Sequence, residues 1–326
     1  MRVELGPYGP RLRLDRPDPP AGEHRVSIRI ELAGLCRSDL KEVARERHGP
    51  SQFGHELVGV IHESTLADRL PTGLRVALDP NVRLARTTGF ATEMYAAGPA
   101  EHLLTALHPV PDRLPARQAV FAEPLACAEH CVAALAGHLG MPVAGRRLVV
   151  LGAGAAGLLI AGSAELAGAE VTLANRSADR AKFLRDRGFE VRAIATLPAA
   201  AFDAAVIATS FVRPDILADA LRVLVPAGLA LLYGGTAPGD ELRGLPVDLD
   251  HVRRHEHAVH TTWSGHRVTV AGSYGTTPAD FTAALSSLPR LPVERLITEE
   301  VTLPQLPAVL REQVAGRPLG KTVIHP

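Results

Sequence analysis

The sequence predicts an α/β plus β chain, in which a barrel-like all-β module precedes a doubly wound parallel α/β unit. Two patterns predict it. From Arg25 to about Val110, short strand-like runs (RVSIRIELAG, HELVGVIHES, LRVALD) are broken by Gly, Pro and Asp. From Arg147 onward, continuous Val/Ile/Leu runs alternate with helical text, as βαβ units do when both faces of a parallel sheet are covered. The length agrees: 326 residues, 46% of them hydrophobic, are enough for roughly two domains.

Taken in order, LACAEHCVAALAGHL after Pro124 spaces its apolar residues as a helix. Strand LVVLGA, helix AAGLLIAGSAELAG, strand EVTLAN and helix ADRAKFLRDRG follow, then strands DAAVIATS, LALLYGG and RVTVAGSYG. Glu299 to Val314 and Gly320 to Pro326 leave that rhythm and are expected to rejoin the first module. The expected domains are therefore 1–143 with 276–326, and 144–275. Cys127 and Cys131 fall one turn apart on the first helix, where packing is the natural role; Glu129 and His130 beside them carry no assigned task.

Charge excludes some partners. The chain has 35 basic and 35 acidic residues, so no net field gathers nucleic acid or an anionic membrane surface. The uncharged run Leu148 to Ala164 is shorter than the roughly 20 residues of a spanning helix. Three cysteines and an N-terminus without a signal-like apolar core lead to the expectation of a reduced, cytoplasmic setting.

Gly152, Gly154 and Gly157 form G-x-G-x-x-G directly after a strand and at the start of a helix. Glycine there permits the tight turn, the approach of backbone to a pyrophosphate and close helix packing, and the helix start offers free N–H groups. The end of the next strand carries Asn175, then Arg176, Ser177 and Arg180, where an NAD-binding unit usually has an acidic residue. An amide does not repel a 2'-phosphate and a guanidinium grips one, so NADP(H) is expected over NAD(H), although Asn175 can also bond a ribose hydroxyl.

Ahead of that unit stand GLCRSDL, FGHELVGVI and AEPLACA, which supply a thiol, an imidazole and carboxylates from separate segments, a mixture zinc accepts. In this order, and followed by LGAGAAGLL, these motifs resemble the zinc-dependent medium-chain dehydrogenase/reductases, the group of alcohol, sorbitol and threonine dehydrogenases. VAGSYGTTPADFTAAL and the final GKTVI extend the likeness over nearly the whole chain. The resemblance implies a GroES-like β-barrel catalytic domain, a Rossmann domain and an active site in the cleft between them.

It also implies roles residue by residue. Cys36, His55 and Glu123 would ligate one catalytic zinc, with Glu56 a ligand or a close neighbour. Ser38 would pass the substrate proton, Asp39 would orient His55, and Arg37 would face the cofactor pyrophosphate. Lys41 stands where many relatives end the proton relay with histidine, and can act as a proton carrier or as a surface ammonium. Glu123 in place of a cysteine suggests the polyol and threonine branch. The segment VRLARTTGFATEMYAA lacks the cysteines of a structural zinc, so none is expected there.

The activity implied is hydride transfer between a nicotinamide and a small polar alcohol or ketone, such as a polyol, cyclitol, sugar or amino alcohol, by a homodimer or homotetramer. Two alternatives stay open: a metal-free NADPH-dependent quinone or enoyl reductase, and a non-catalytic nucleotide-binding sensor. His251, His255 and His257, in LDHVRRHEHAVHTTWSGH, are expected in a solvated loop or subunit contact.

Overall fold

A computed structural model describes residues 1–46, 51–316 and 319–326. The chain opens with the hairpin β1 (Arg2–Gly6) and β2 (Gly9–Arg13), then the long β3 (His24–Gly34). Helix α1 (Arg37–Val43) leads through β4 (Glu56–Ser64), β5 (Arg75–Leu78), β6 (Ala85–Arg86) and β7 (Glu93–Gly98) to α2 (Ala100–Ala106), β8 (Leu107–Pro109) and α3 (Ala116–Ala119). Helix α4 (Ala122–Leu139) follows.

The alternating region is β9 (Arg147–Leu151), α5 (Ala155–Leu166), β10 (Glu170–Asn175), α6 (Ala178–Arg185), β11 (Arg192–Ala193), β12 (Phe202–Ile207), α7 (Pro214–Val223) and β13 (Leu224–Leu232). It continues with α8 (Leu249–Arg254), β14 (Ala258–Trp263), β15 (His266–Gly272) and α9 (Pro278–Ser287). Last come β16 (Ile297–Thr302), α10 (Leu306–Ala315) and β17 (Lys321–His325).

Two compact units result: Met1–Pro124 with Phe281–Pro326, and Leu125–Asp280. The borders fall inside α4 and α9, whereas the sequence suggested 143/144 and 275/276. Helical text offers no turn residue from which to read such a border.

In the first unit, β16, β17, β3, β4, β5 and β8 lie side by side, and β3 pairs also with β7. Leu57 and Ile61 of β4 enter a core with Ile28, Phe90, Met94, Leu107, Leu310 and Ile324, and Val58 on the strand's other face is buried as well. The two late segments do rejoin this sheet, β17 antiparallel to β3 through Val323–Gly34 and Ile324–Ala33.

In the second unit the order is β11-β10-β9-β12-β13-β15-β14, parallel except for β14. Val149, Leu151, Ile207, Leu232 and Val270 fill its core with Leu217 and Leu221 of α7. The histidine-rich text is a solvated loop only in part: His255 and His257 lie in the exposed turn between a short helix and a strand, and His251 lies on the helix. The text otherwise forms α8, anchored by the buried Leu249 and Val252, and the edge strand β14. His251, His255 and His257 are exposed, and their ring centroids lie 4.3 to 5.6 Å apart.

His130, unassigned from sequence, holds three segments of this unit together. Its Nδ1 lies 2.9 Å from Asp280 Oδ2 and its Nε2 2.8 Å from Glu256 Oε1. Both ring nitrogens therefore donate. Burial, the largest influence, pushes the imidazole down, but the two carboxylates outweigh it and raise its pKa. A raised folded value adds stability that is complete below the unfolded pKa of about 6.5 and fades as pH rises through the folded value. His130→Gln should thus cost about 1–2 kcal/mol at pH 6 and less at pH 9. Urea unfolding at the two pH values checks this, and an equal loss at both would overturn it.

Cys131 is buried nearby, and burial pushes its thiol up to about 12. It packs as expected and is not a poised nucleophile.

Candidate functional site

The first unit builds its site around Asp39. Oδ2 accepts from Cys36 N at 2.8 Å and Oδ1 from Gly54 N at 2.9 Å. One fully buried carboxylate thus ties the start of α1 to the turn before β4. That turn needs glycine at 54, where φ is +66° and a β-carbon would come within 2.6 Å of Phe90 N.

His55 follows directly. Its Nδ1 donates to Gln52 O at 2.9 Å and lies 3.5 Å from Asp39 Oδ1. In the neutral ring Nδ1 therefore carries the proton, and the Nε2 lone pair, 3.5 Å from Ser38 Oγ, becomes available as a ligand. Burial is the largest influence on His55 and pushes its pKa down; Asp39 and Cys36 outweigh it and hold it well above the usual value.

The donor atoms of Cys36, His55 and Glu56 all lie within 4.8 Å of one another. Among the described residues this is the group of three that fits a metal ion. Thiolate, imidazole and carboxylate suit zinc, and three protein ligands leave a fourth position for a substrate oxygen. Glu123 is not brought into the group, contrary to the expectation. It sits in the first turn of α4, buried, facing the charge of Lys321. Glu56, at the start of β4 directly after His55, is the third member of the group.

Lys321 was missed from sequence. The buried ammonium at the start of β17 is ion-paired with Glu56 Oε2. Burial, the largest influence, pushes its pKa down, and Glu56, Cys36 and Glu123 together raise it above the usual lysine value. The signal was available: a lysine opening the apolar run KTVI must either snorkel or find a partner.

Lys321→Met strips Glu56 of its cation and should cost the metal-free protein about 3 kcal/mol, the scale of breaking a buried pair. With saturating zinc the loss should shrink, because the ion then shares the carboxylate's charge. Urea unfolding with chelator and with zinc compares the two, and an undiminished loss under zinc would count against a metal at Glu56.

The remaining residues expected at this site lie on α1: Arg37 exposed, Ser38 and Lys41 half-buried.

In the second unit the glycine loop joins β9 to α5. Gly152 has φ +116°, and a β-carbon there would approach Ala208 and Thr209 backbone to 2.9 Å. At Gly157 a β-carbon would lie 1.8 Å from Gly152 O, so helix and turn meet with no room for a side chain. Around Gly154, at the start of α5, nothing lies within 4 Å of such a carbon, which leaves an open approach to backbone N–H groups.

Asn175 Oδ1 accepts from Ala153 N at 3.2 Å, and its Nδ2 donates to Ser177 O at 3.2 Å. Its amide shapes the loop. Ser177 caps α6, accepting from Arg180 N at 3.3 Å. Arg176 is ion-paired with Asp215.

Residues 22–169 match the model of the alcohol dehydrogenase GroES-like domain. An uncharacterized zinc-type alcohol dehydrogenase-like protein of Haemophilus influenzae is 31% identical over 199 residues, 53% of this chain and 56% of that protein. A sorbitol dehydrogenase of Halalkalibacterium halodurans is 27% identical over 190 residues, 52% of this chain and 53% of that protein. The chain thus spans about half the length of these curated relatives. In fold it is similar to galactitol-1-phosphate dehydrogenase from Escherichia coli, with a TM-score of 0.77 at 19% identity, covering 100% of this chain and 99% of the other.

Proposed function

We propose that the chain is a zinc-type, medium-chain dehydrogenase/reductase, an oxidoreductase moving a hydride between a secondary alcohol or ketone and a nicotinamide dinucleotide, a reading supported by the match of residues 22–169 and by the zinc-type and sorbitol dehydrogenase relatives. NADP(H) is the preferred cofactor and a polyol, cyclitol, sugar or amino alcohol the substrate class. The convergence of Cys36, His55 and Glu56 carries this reading, because an alcohol must be polarised before its hydride can leave.

Bound there, zinc supplies the Lewis acid that acidifies a hydroxyl, and the nicotinamide supplies the hydride acceptor. Ser38, whose Oγ lies 3.5 Å from His55 Nε2, relays the hydroxyl proton by accepting it and giving up its own hydrogen, which Lys41 in its neutral amine form, one turn further along α1, carries outward. Gln52 O and Asp39 keep His55 in the tautomer that presents Nε2. The N–H groups of the glycine loop meet the pyrophosphate. The unpaired outer edge of β14 supports a homodimer.

Metal analysis of the purified protein should find about one zinc per chain. A panel of polyols, cyclitols, sugars and amino alcohols with NADP and NAD, followed by the absorbance of the reduced nicotinamide, identifies the substrate class. Protein that retains no zinc while reducing quinones or enoyl compounds with NADPH would replace this reading with a metal-free reductase. Zinc without turnover of any substrate would point to a sensor.

A further inference from the structure

The nucleotide reading proposed above is the basis for this inference, which concerns Arg213 and Asp215, residues that neither the glycine pattern nor the family likeness singles out. In the sheet of the second unit, β9 stands with β10 on one side and β12 on the other. The glycine loop at the end of β9 is therefore flanked by the segments leaving those two strands. Arg176 follows β10 directly; Arg213 caps α7 after β12, and Asp215 lies in the first turn of α7.

Asp215 Oδ2 is ion-paired with Arg176 Nη1, and its Oδ1 lies 3.3 Å from Arg213 Nε. One carboxylate thus joins two guanidiniums across the mouth of β9. Their side chains are 58% and 62% exposed, and that of Asp215 45%. Burial, the largest influence, pushes the Asp215 carboxyl up, yet the two arginines outweigh it and hold it below the usual carboxylate range. Exposed ion pairs add little stability, so folding gives no reason to gather two cations here. The cluster keeps one net positive charge facing solvent beside the loop that would carry the dinucleotide.

We propose that Arg176 and Arg213 form a two-guanidinium subsite for the 2'-phosphate of NADP(H), with Asp215 positioning both and occupying their donors when the ligand lacks that phosphate. A phosphate offers three acceptor oxygens and nearly two charges, so it displaces a single carboxylate from a guanidinium; a neutral ribose hydroxyl does not. Asp215 thereby acts on selectivity between the two dinucleotides as well as on the arginines' geometry.

The test uses fragments of the cofactor on the full chain, read by calorimetry at low and high salt. Adenosine 2',5'-bisphosphate should bind roughly tenfold more tightly than AMP, and salt should reduce that preference. Arg213→Ala should weaken the bisphosphate about fivefold and leave AMP unchanged, and Asp215→Asn should tighten the bisphosphate several-fold with AMP again unchanged. All three side chains are exposed, and a common change in both ligands would mark a merely structural role and overturn the inference. AMP binding with no preference for the bisphosphate overturns this inference alone. Absence of binding by either ligand overturns it together with the nucleotide reading.

Discussion

Cys36→Ala is expected to strip the purified protein of its zinc and to lower turnover by about a thousandfold, equivalent to roughly 4 kcal/mol of transition-state stabilisation. The donor group has three members within 4.8 Å, and two neutral or singly charged ligands hold zinc far less well than three. The fold should survive. Asp39 contacts the backbone N of Cys36, not its sulfur, so the tie between α1 and Gly54 persists in alanine. Metal analysis alongside circular dichroism separates the two effects. A folded Cys36→Ala protein with undiminished zinc would place the metal elsewhere and remove the basis of the proposed chemistry.

The second large effect is expected at Gly157→Val. A β-carbon there would sit 1.8 Å from Gly152 O, a distance no rotamer relieves because the backbone fixes the position of Cβ and the oxygen is itself backbone. Either α5 shifts away from β9 or the turn at Gly152 opens, and each abolishes the cradle of N–H groups for the pyrophosphate. Dinucleotide affinity should fall at least about a hundredfold, with stability lower by roughly 3 kcal/mol from the overpacked contact. Gly154→Ala provides the contrast, since nothing lies within 4 Å of its β-carbon, and it should leave stability nearly unchanged. Equal behaviour of the two variants would mean that the loop relaxes more readily than its geometry implies.

Much of this was legible in the sequence for reasons that differ from element to element. The parallel strands announced themselves because both faces of β9, β12 and β13 are covered, which forces continuous apolar runs. The glycine loop was legible because only glycine satisfies its turn and its helix contact. Helix α8 and strand β14 were not. A six-residue helix needs only Leu249 and Val252 as anchors, and the edge strand buries only partly an inner face of Val259, Thr261 and Trp263, too short an alternation against exposed His260 and Thr262 to announce itself.

At the site, the local pair Cys36 and Asp39 and the neighbours His55 and Glu56 could be read because each cluster lies within one short segment. Lys321 reaches Glu56 from 265 residues away, a pairing that only the sheet creates. Glu123 lies outside the group of three yet near enough for its charge to act on Lys321, a placement of which order along the chain gives no measure.

The position of β17 has a consequence for synthesis. It is the strand that joins β16 to β3 and brings Lys321 to Glu56, yet almost the whole chain is translated between β3 and it. Leu125–Asp280 is continuous and can fold as it leaves the ribosome, while the first unit, whose sequence flanks it on both sides, waits with one flank of β3 unpaired and a buried carboxylate lacking its cation. Ribosome-stalled intermediates halted before residue 321 should therefore resist protease in the inner segment and be cut in the outer one.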